Sequence, residues 1–215
     1  MSYFSITTTD ESVVFLKKVD WRLGKVLDHI GNIECKIHDD PVEFIACEIL
    51  GQMLSNKVAT VLRNRLYILC NGLINAENIL MLSHEDLRRM GLSNSKSDYL
   101  HNFAKAVKEG VLDFEYLKEE SDETVLKELT SIHGIGTWTA KMFLLFVLCR
   151  EDVLPYEDGA FLQAYKWLYN TEDVRKKSVI ENCAVWHPYS SIAARFLYRA
   201  LDSGLTKMTI SSFLS

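Results

Sequence analysis

The stretch IHGIGTWTAK, residues 132–141, places Gly134 and Gly136 on either side of Ile135, between two segments with helical apolar spacing. Glycine adopts backbone angles that other residues avoid, and it lets another molecule approach the main chain closely. A helix that begins directly after such a turn directs its free N–H groups outwards, which suits a phosphate group. The stretch therefore predicts two helices joined by a tight glycine turn, which holds a nucleic-acid backbone through main-chain donors. A tight helix connection with a glycine C-cap is the simpler alternative.

The segments on both sides of this turn indicate an all-α fold. Only three prolines and ten glycines interrupt the 215 residues, and apolar residues recur mostly at helical spacing. The run Asp40 to Glu43 combines a capping aspartate, a proline in the first turn and a glutamate that can reach back. Residues 138–149 are apolar on nearly every face, which predicts a central buried helix. The first few residues leave open a short strand.

The composition limits the class of protein. The formal net charge of −5 argues against global attraction to nucleic acid, so any such contact must be local. The five cysteines are scattered and none forms a Cys-x-x-Cys pair, which predicts buried thiols and neither a disulfide framework nor a metal centre. No apolar run is long enough to cross a bilayer. We therefore expect an intracellular location, cytoplasmic or nucleoid, and no membrane partner.

A second motif follows the buried helix. Residues 153–161 read VLPYEDGAF, in which Pro155 stops regular structure and Asp158 stands where the next helix begins. The simplest role for Asp158 is a helix N-cap. A carboxylate at a helix N-terminus is also held ionised and immobile, which is what a cationic transition state requires. Asp158 is therefore the candidate catalytic acid, with the adjacent Glu157 as the alternative.

Five short motifs of the chain occur together, and in this order, in one known family. They are Ile49-Leu50-Gly51-Gln52 with Ser55; Gly91-Leu92-Ser93 with Lys96; Gly134 to Ala140; Leu154-Pro155 with Asp158; and Trp186 to Ala193. The set covers residues 40–200 and resembles the helix–hairpin–helix (HhH-GPD) DNA glycosylases. Within them it is similar to the alkylpurine branch, the 3-methyladenine DNA glycosylases II. In that family the aspartate three residues after the proline is the essential acid, so the resemblance assigns this role to Asp158.

The resemblance implies an all-α fold of two helical lobes with a central cleft. One HhH-GPD unit would span residues 1–215, with lobe A at about 45–125 and lobe B at about 1–44 plus 126–215. The implied partner is double-stranded DNA that contains alkylated bases, bound by a monomer. The implied reaction is base excision: the lesion base is flipped into the cleft and its N-glycosidic bond is hydrolysed, leaving an abasic site. An alkylated purine is already a cation and leaves easily, so one carboxylate can suffice.

Trp138 decides the mechanistic subclass. Related glycosylases that also cut the strand place a lysine two residues after the second glycine, and its amine attacks the sugar. Trp138 at this position has no nucleophile, and Lys141 lies nearly a full helical turn away. The sequence therefore predicts a monofunctional enzyme.

The same resemblance assigns roles to further residues. Trp138, Met142 and Tyr198 are expected to border the base pocket, and Met53, with Leu54 second, to fill the gap left by the flipped base. Packing in the core is the alternative role of Trp138, Tyr198 and Met53. The residues expected at the DNA backbone are Gly134, Ile135, Gly136, Thr137, Thr139, Gln52 and Ser55. Lys57, Lys96, Lys141 and Arg195 are weaker phosphate candidates, and His133 could donate to a phosphate.

No metal or organic cofactor is predicted, although a monovalent cation could bind the hairpin carbonyls. Two alternative functions remain open at this stage. One is a glycosylase for deaminated or oxidised bases, and the other is a catalytically silent HhH DNA-binding module.

Overall fold

In the computed structural model the chain is mostly helical, which confirms the predicted fold class, and the structure describes residues 2–214. The helices of this described part are α1 (Glu11–Val19), α2 (Trp21–Ile30), α3 (Pro41–Gly51), α4 (Asn56–Leu69), α5 (Ala76–Met81), α6 (His84–Arg89), α7 (Asn94–Lys108), α8 (Phe114–Glu119), α9 (Asp122–Ser131), α10 (Thr137–Phe146), α11 (Gly159–Tyr169), α12 (Lys176–Cys183), α13 (Ser190–Asp202) and α14 (Ile210–Leu214). Short 3₁₀ turns span Ala184–Trp186 and Leu205–Lys207. Within residues 2–214 no helix combines the length and apolar character needed to span a membrane.

A two-stranded sheet supplements the helices. Strand β1 (Ser2–Ile6) pairs antiparallel with β2 (Ile33–Ile37), so that Ser2 faces Ile37 and Ile6 faces Ile33. The apolar residues Ile33, Cys35 and Ile37 alternate with polar ones, which is the two-residue period of a half-buried strand. Sequence analysis left the first strand open and did not identify the second.

The chain divides into two compact units. The first, which we call the insert unit, is the continuous segment His38–Leu148. The second, the terminal unit, consists of the described residues up to Ile37 together with those from Cys149 onwards. This division differs from the predicted lobes, which grouped residues 126–148 with the two termini. The difference arises because α10 packs on α3 and α9, so that the hairpin belongs to the same unit as the helices before it.

The core of the insert unit is built around α3 and α10. Asp40 caps α3 by accepting hydrogen bonds from the backbone N–H groups of Val42 and Glu43, as its sequence predicts. Helix α3 packs on α4, α7 and α10. The side chains of α10 from Thr139 to Leu145 are all buried, which confirms the predicted central helix, although it ends at Phe146.

The terminal unit is organised around a buried carboxylate. Asp20 is 7% exposed and caps α2 through Oδ1, which accepts from the N–H groups of Arg22 and Leu23. Its Oδ2 accepts from the Tyr169 hydroxyl at 2.6 Å and from the Trp186 indole N–H at 3.0 Å. A buried charge is stable only when such donors surround it. Asp20 thereby fixes α2 to the end of α11 and to the 3₁₀ turn that contains Trp186.

Candidate functional site

The predicted turn between α9 and α10 is present in the insert unit. Gly134 has φ of +107°, in the region that favours glycine, and the Ile135 N–H closes the turn by donating to the Ile132 carbonyl at 3.0 Å. The Ile135 side chain is 4% exposed and anchors the turn in the core. Helix α10 then starts at Thr137 with Gly136 as its N-cap. Because glycine has no side chain to cap the first turn, the N–H groups there are suited to an anion.

Two neighbouring side chains hold this hairpin in place. The ring of His133 packs edge-on against Tyr99, with 5.0 Å between the ring centres. The Gln52 side-chain amide donates to the Gly134 carbonyl at 3.0 Å and lies 3.4 Å from the Thr139 hydroxyl. Gln52 and Thr139 had been assigned to the DNA backbone, yet Thr139 is only 1% exposed and both contact the hairpin itself. Both side chains therefore stabilise the hairpin turn.

The segment after α3 presents an apolar side chain to solvent. Met53 is 101% exposed and its φ is +59°, and the neighbouring Leu54 is 39% exposed. This exposure excludes the alternative that Met53 fills the core. Left-handed backbone costs a non-glycine residue about 1–2 kcal/mol, so contacts elsewhere must hold Met53 there. Ser55, the N-cap of α4, and Thr137 are also exposed.

The residues assigned to the base pocket occur in both units. In the insert unit, Trp138 is partly exposed, whereas Met142, one turn further along α10, is 4% exposed. In the terminal unit, Tyr198 is a partly exposed residue of α13. Lys141 is 7% exposed, which does not suit an amine that must reach a sugar.

Asp158, in the terminal unit, is the N-cap of α11. Its Oδ1 accepts from the Phe161 N–H at 2.8 Å, and its own N–H donates to the Pro155 carbonyl at 2.9 Å. The side chain is partly exposed, while Phe161 is fully buried. The expected cap and partial exposure to solvent are therefore both present in one residue. Helix α11 holds the charge at its positive end.

The loop that carries Asp158 is fastened to the start of α13 by side chains that sequence analysis did not single out. The Asp152 Oδ1 accepts from the Ser190 hydroxyl at 2.6 Å and from the Ser190 N–H at 3.1 Å, and Oδ2 pairs with the His187 ring. Burial raises the pKa of the Asp152 carboxyl, but the hydrogen bonds from Ser190 and His187 outweigh it and lower that pKa. Ser191, fully buried, accepts from the Val153 N–H at 2.8 Å. Ser190 and Ser191 belong to the family motif from Trp186 to Ala193, which was the one sequence signal that could have identified these contacts.

The candidate phosphate-binding cations differ in availability. Lys57 is exposed at the start of α4. Lys96 instead donates to two backbone carbonyls of the insert unit, those of Leu50 and Gln52. Arg195 is 7% exposed and its guanidinium stacks over the Phe4 ring at 5.1 Å. Lys96 and Arg195 are therefore engaged within the protein. Among residues 2–214 no group of three or more histidine, cysteine, aspartate and glutamate side chains could hold a metal ion.

Known proteins are similar to this chain in sequence and in fold. A model of the HhH-GPD superfamily base excision DNA repair proteins matches residues 46–188. DNA-3-methyladenine glycosylase 1 of Schizosaccharomyces pombe is 27% identical over 201 residues, which cover 90% of this chain and 88% of that protein.

Two solved structures are similar to this chain over 90% or more of its length. The crystal structure of DNA-3-methyladenine glycosidase from Bacillus halodurans is 32% identical and matches with a TM-score of 0.84, covering 100% of this chain and 99% of that one. The 3-methyladenine DNA glycosylase of Schizosaccharomyces pombe, in complex with abasic DNA, matches with a TM-score of 0.82 and 26% identity, covering 90% of this chain and 97% of that one. The chain therefore belongs to the HhH-GPD superfamily of base excision DNA repair proteins.

Proposed function

We propose that this protein is a DNA glycosylase that flips alkylated purines of the 3-methyladenine and 7-methylguanine type out of duplex DNA and hydrolyses their N-glycosidic bonds. The relatives named 3-methyladenine glycosylases, matched over nearly their whole length, support this class of substrate. The observation that carries the proposal is the carboxylate of Asp158, held at the N-terminus of α11 while remaining partly exposed.

Asp158 is suited to the reaction because the leaving group needs little help. Alkylation at a ring nitrogen makes the purine a cation, so the base departs as a neutral molecule without prior protonation. Positive charge then develops on the sugar, and a fixed carboxylate nearby stabilises it. The same carboxylate can accept a proton from the attacking water. The Phe161 N–H holds one oxygen of Asp158, which leaves the carboxylate in a defined orientation.

The hairpin of the insert unit is the proposed anchor for the DNA strand. The first turn of α10 follows Gly136, makes no side-chain cap hydrogen bond and contains the exposed Thr137, and we propose that it supplies backbone donors that need no positive side chain. This reconciles backbone binding with the net charge of −5. Such contacts position the duplex without reading its sequence.

Two apolar features suit a flipped base. Met53, wholly exposed, is the proposed wedge that enters the stack as the lesion leaves it. Trp138 is the proposed partner of the base, because an indole face attracts a cationic purine by about 1–2 kcal/mol once water is removed. Met142 and Tyr198 are proposed as further contacts of the flipped base, as the family resemblance implies. All these residues belong to one chain, so we propose that the enzyme acts as a monomer.

The test is release of free bases from methylated duplex DNA, identified by chromatography. We expect 3-methyladenine and 7-methylguanine to be released and the DNA to retain abasic sites. Parallel duplexes with a single deaminated or oxidised base measure the first alternative. Binding to an abasic duplex without release of any alkylated base would contradict the proposal and favour a silent DNA-binding module.

A further inference from the structure

The segment Gly51 to Leu54 forms a β-turn of an unfavourable kind for its sequence. The Leu54 N–H donates to the Gly51 carbonyl at 3.0 Å, which closes the turn. Gln52 has φ of −47° and ψ of 127°, and Met53 has φ of +59°, which are the angles of a type II turn. The second central position of this turn strongly favours glycine or asparagine. A methionine there would by itself favour the type I turn, in which its φ is negative.

Types I and II differ mainly in the orientation of the central peptide group, here the one that joins Gln52 to Met53. Turning that peptide over moves the Gln52 carbonyl to the opposite face of the turn and changes the backbone angles of Met53. A donor that binds the Gln52 carbonyl in one orientation therefore selects between the two turns.

Lys96 supplies such a donor. Its ammonium lies 2.7 Å from the Gln52 carbonyl oxygen and 2.8 Å from that of Leu50, at the C-terminal end of α3. A cation is favourable at that end of a helix, where carbonyl groups lack intrahelical partners. Partial burial lowers the pKa of the Lys96 ammonium.

The side chain of the same glutamine links this turn to the hairpin. Gln52 donates through Nε2 to the Gly134 carbonyl, so the turn is held at its backbone by Lys96 and at its side chain by the hairpin. A rearrangement of the Gln52 peptide would disturb both attachments. The exposed position of Met53 depends on the two together.

We propose that Lys96 is a positioning residue for the DNA wedge: its ammonium holds the turn Gly51–Leu54 in the type II form and thereby presents Met53 to the duplex. This inference rests on the proposed function, because it takes Met53 as the wedge. Lys96 itself would not contact a phosphate. A positioning role and a phosphate contact make different predictions for Lys96→Met. They differ in how binding depends on salt concentration and in whether the loss of affinity depends on the residue at position 53.

The experiment measures binding to a duplex that contains a tetrahydrofuran abasic analogue beside 2-aminopurine, whose fluorescence changes when a side chain enters the stack. Lys96→Met should weaken binding about tenfold and reduce the fluorescence change. Lys96→Arg keeps the cationic donor and should retain most of the wild-type affinity and most of the fluorescence change. Lys105→Met removes an exposed lysine from the same helix, α7, and should leave both unchanged.

Two further measurements separate positioning from phosphate contact. The slope of log affinity against log salt concentration should be the same for Lys96→Met and wild type, whereas loss of a phosphate contact lowers it by about one. In a Met53→Asn background the loss caused by Lys96→Met should shrink, because asparagine adopts positive φ at little cost. If Lys96→Met does not fold, Lys96→Gln, which keeps an uncharged donor, takes its place with a smaller expected loss.

The inference is overturned if Lys96→Met behaves like Lys105→Met, if the salt slope falls by about one, or if the loss is equally large with asparagine at position 53. The assay needs no base release, so it is independent of catalysis. Wild-type protein that alters the 2-aminopurine signal but releases no base would contradict the proposed function and leave this inference standing.

Discussion

The α-carbon of Gly134 lies directly against Tyr99. A Cβ atom at position 134 would be 2.3 Å from the Tyr99 Cβ and 2.4 Å from its Cγ, closer than side chains ever approach. The position of the Tyr99 Cβ atom is set by the backbone, so no change of rotamer can relieve this overlap. The first glycine of the hairpin is thus required by packing as well as by its positive φ.

Gly134→Ala should therefore destabilise the protein by about 2–4 kcal/mol, from left-handed backbone and steric overlap together. Urea unfolding measures this change. Gly136→Ala is the matched control, because a Cβ there meets nothing within 4 Å, and we expect its stability to stay close to wild type. Equal stability of the two variants would show that the close approach to Tyr99 does not constrain the hairpin.

Asp158→Asn should abolish base release while preserving the fold. Asparagine keeps an oxygen that can accept from the Phe161 N–H, so α11 retains its cap. The charge is lost, and we expect single-turnover release of 7-methylguanine to fall by at least about 100-fold. Affinity for abasic duplex should stay within a few-fold of wild type.

Glu157→Gln is the control for this substitution, since it neutralises the adjacent carboxylate. We expect its release rate to remain within a few-fold of wild type. The reverse result, with Glu157→Gln inactive and Asp158→Asn active, would transfer the catalytic role to Glu157.

The carboxyl of Asp152 should contribute pH-dependent stability. Its folded pKa lies below the usual value, so the contribution is complete above the pKa of the unfolded chain, near 4, and is lost as the pH falls through the folded pKa. The difference in unfolding free energy between wild type and Asp152→Asn should therefore shrink as the pH is lowered from 6 to 3. A difference that grows towards low pH would contradict the assignment.

Borohydride should trap no covalent complex between this protein and DNA. Trp138 occupies the position of the Schiff-base lysine, and Lys141 is 7% exposed. The DNA product should remain intact until alkali cleaves its abasic sites, which a denaturing gel resolves. A trapped band that disappears in Lys141→Met would show that the buried lysine does reach the sugar.

Sequence reasoning succeeded where the signal was local. The positive φ at Gly134 follows from residue type and spacing, and so does the Asp158 cap, because each depends on neighbours within a few positions. The partners of Lys96 in its two hydrogen bonds lie 46 and 44 positions away in the sequence, and Ser190 lies 38 positions from Asp152. No local sequence pattern indicates such distant contacts. The type II turn at Met53 was missed because its key residue is one that the turn disfavours.

The wedge candidate shows what a structure adds to a resemblance. Position 53 was chosen by alignment with the family, and core packing was the competing interpretation. The exposure of Met53 excludes core packing. The positive φ of Met53 is explained by the hydrogen bond from Lys96 to the Gln52 carbonyl, whereas the sequence suggested only a phosphate contact for Lys96.

The division of the chain into an insert and a terminal unit has a consequence for biosynthesis. The insert unit leaves the ribosome as one uninterrupted piece, so its hairpin and Met53 turn can assemble during translation. Strand β2 and helix α2 emerge earlier, yet α11 and α13, on which α2 packs, are translated only after the insert is finished. The hydrogen bonds of Asp20 with Tyr169 and Trp186 likewise form only after those two residues have been translated. The unit that carries Asp158 is thus completed last, and the nascent chain can form the proposed DNA-binding elements before the proposed catalytic carboxylate is in place.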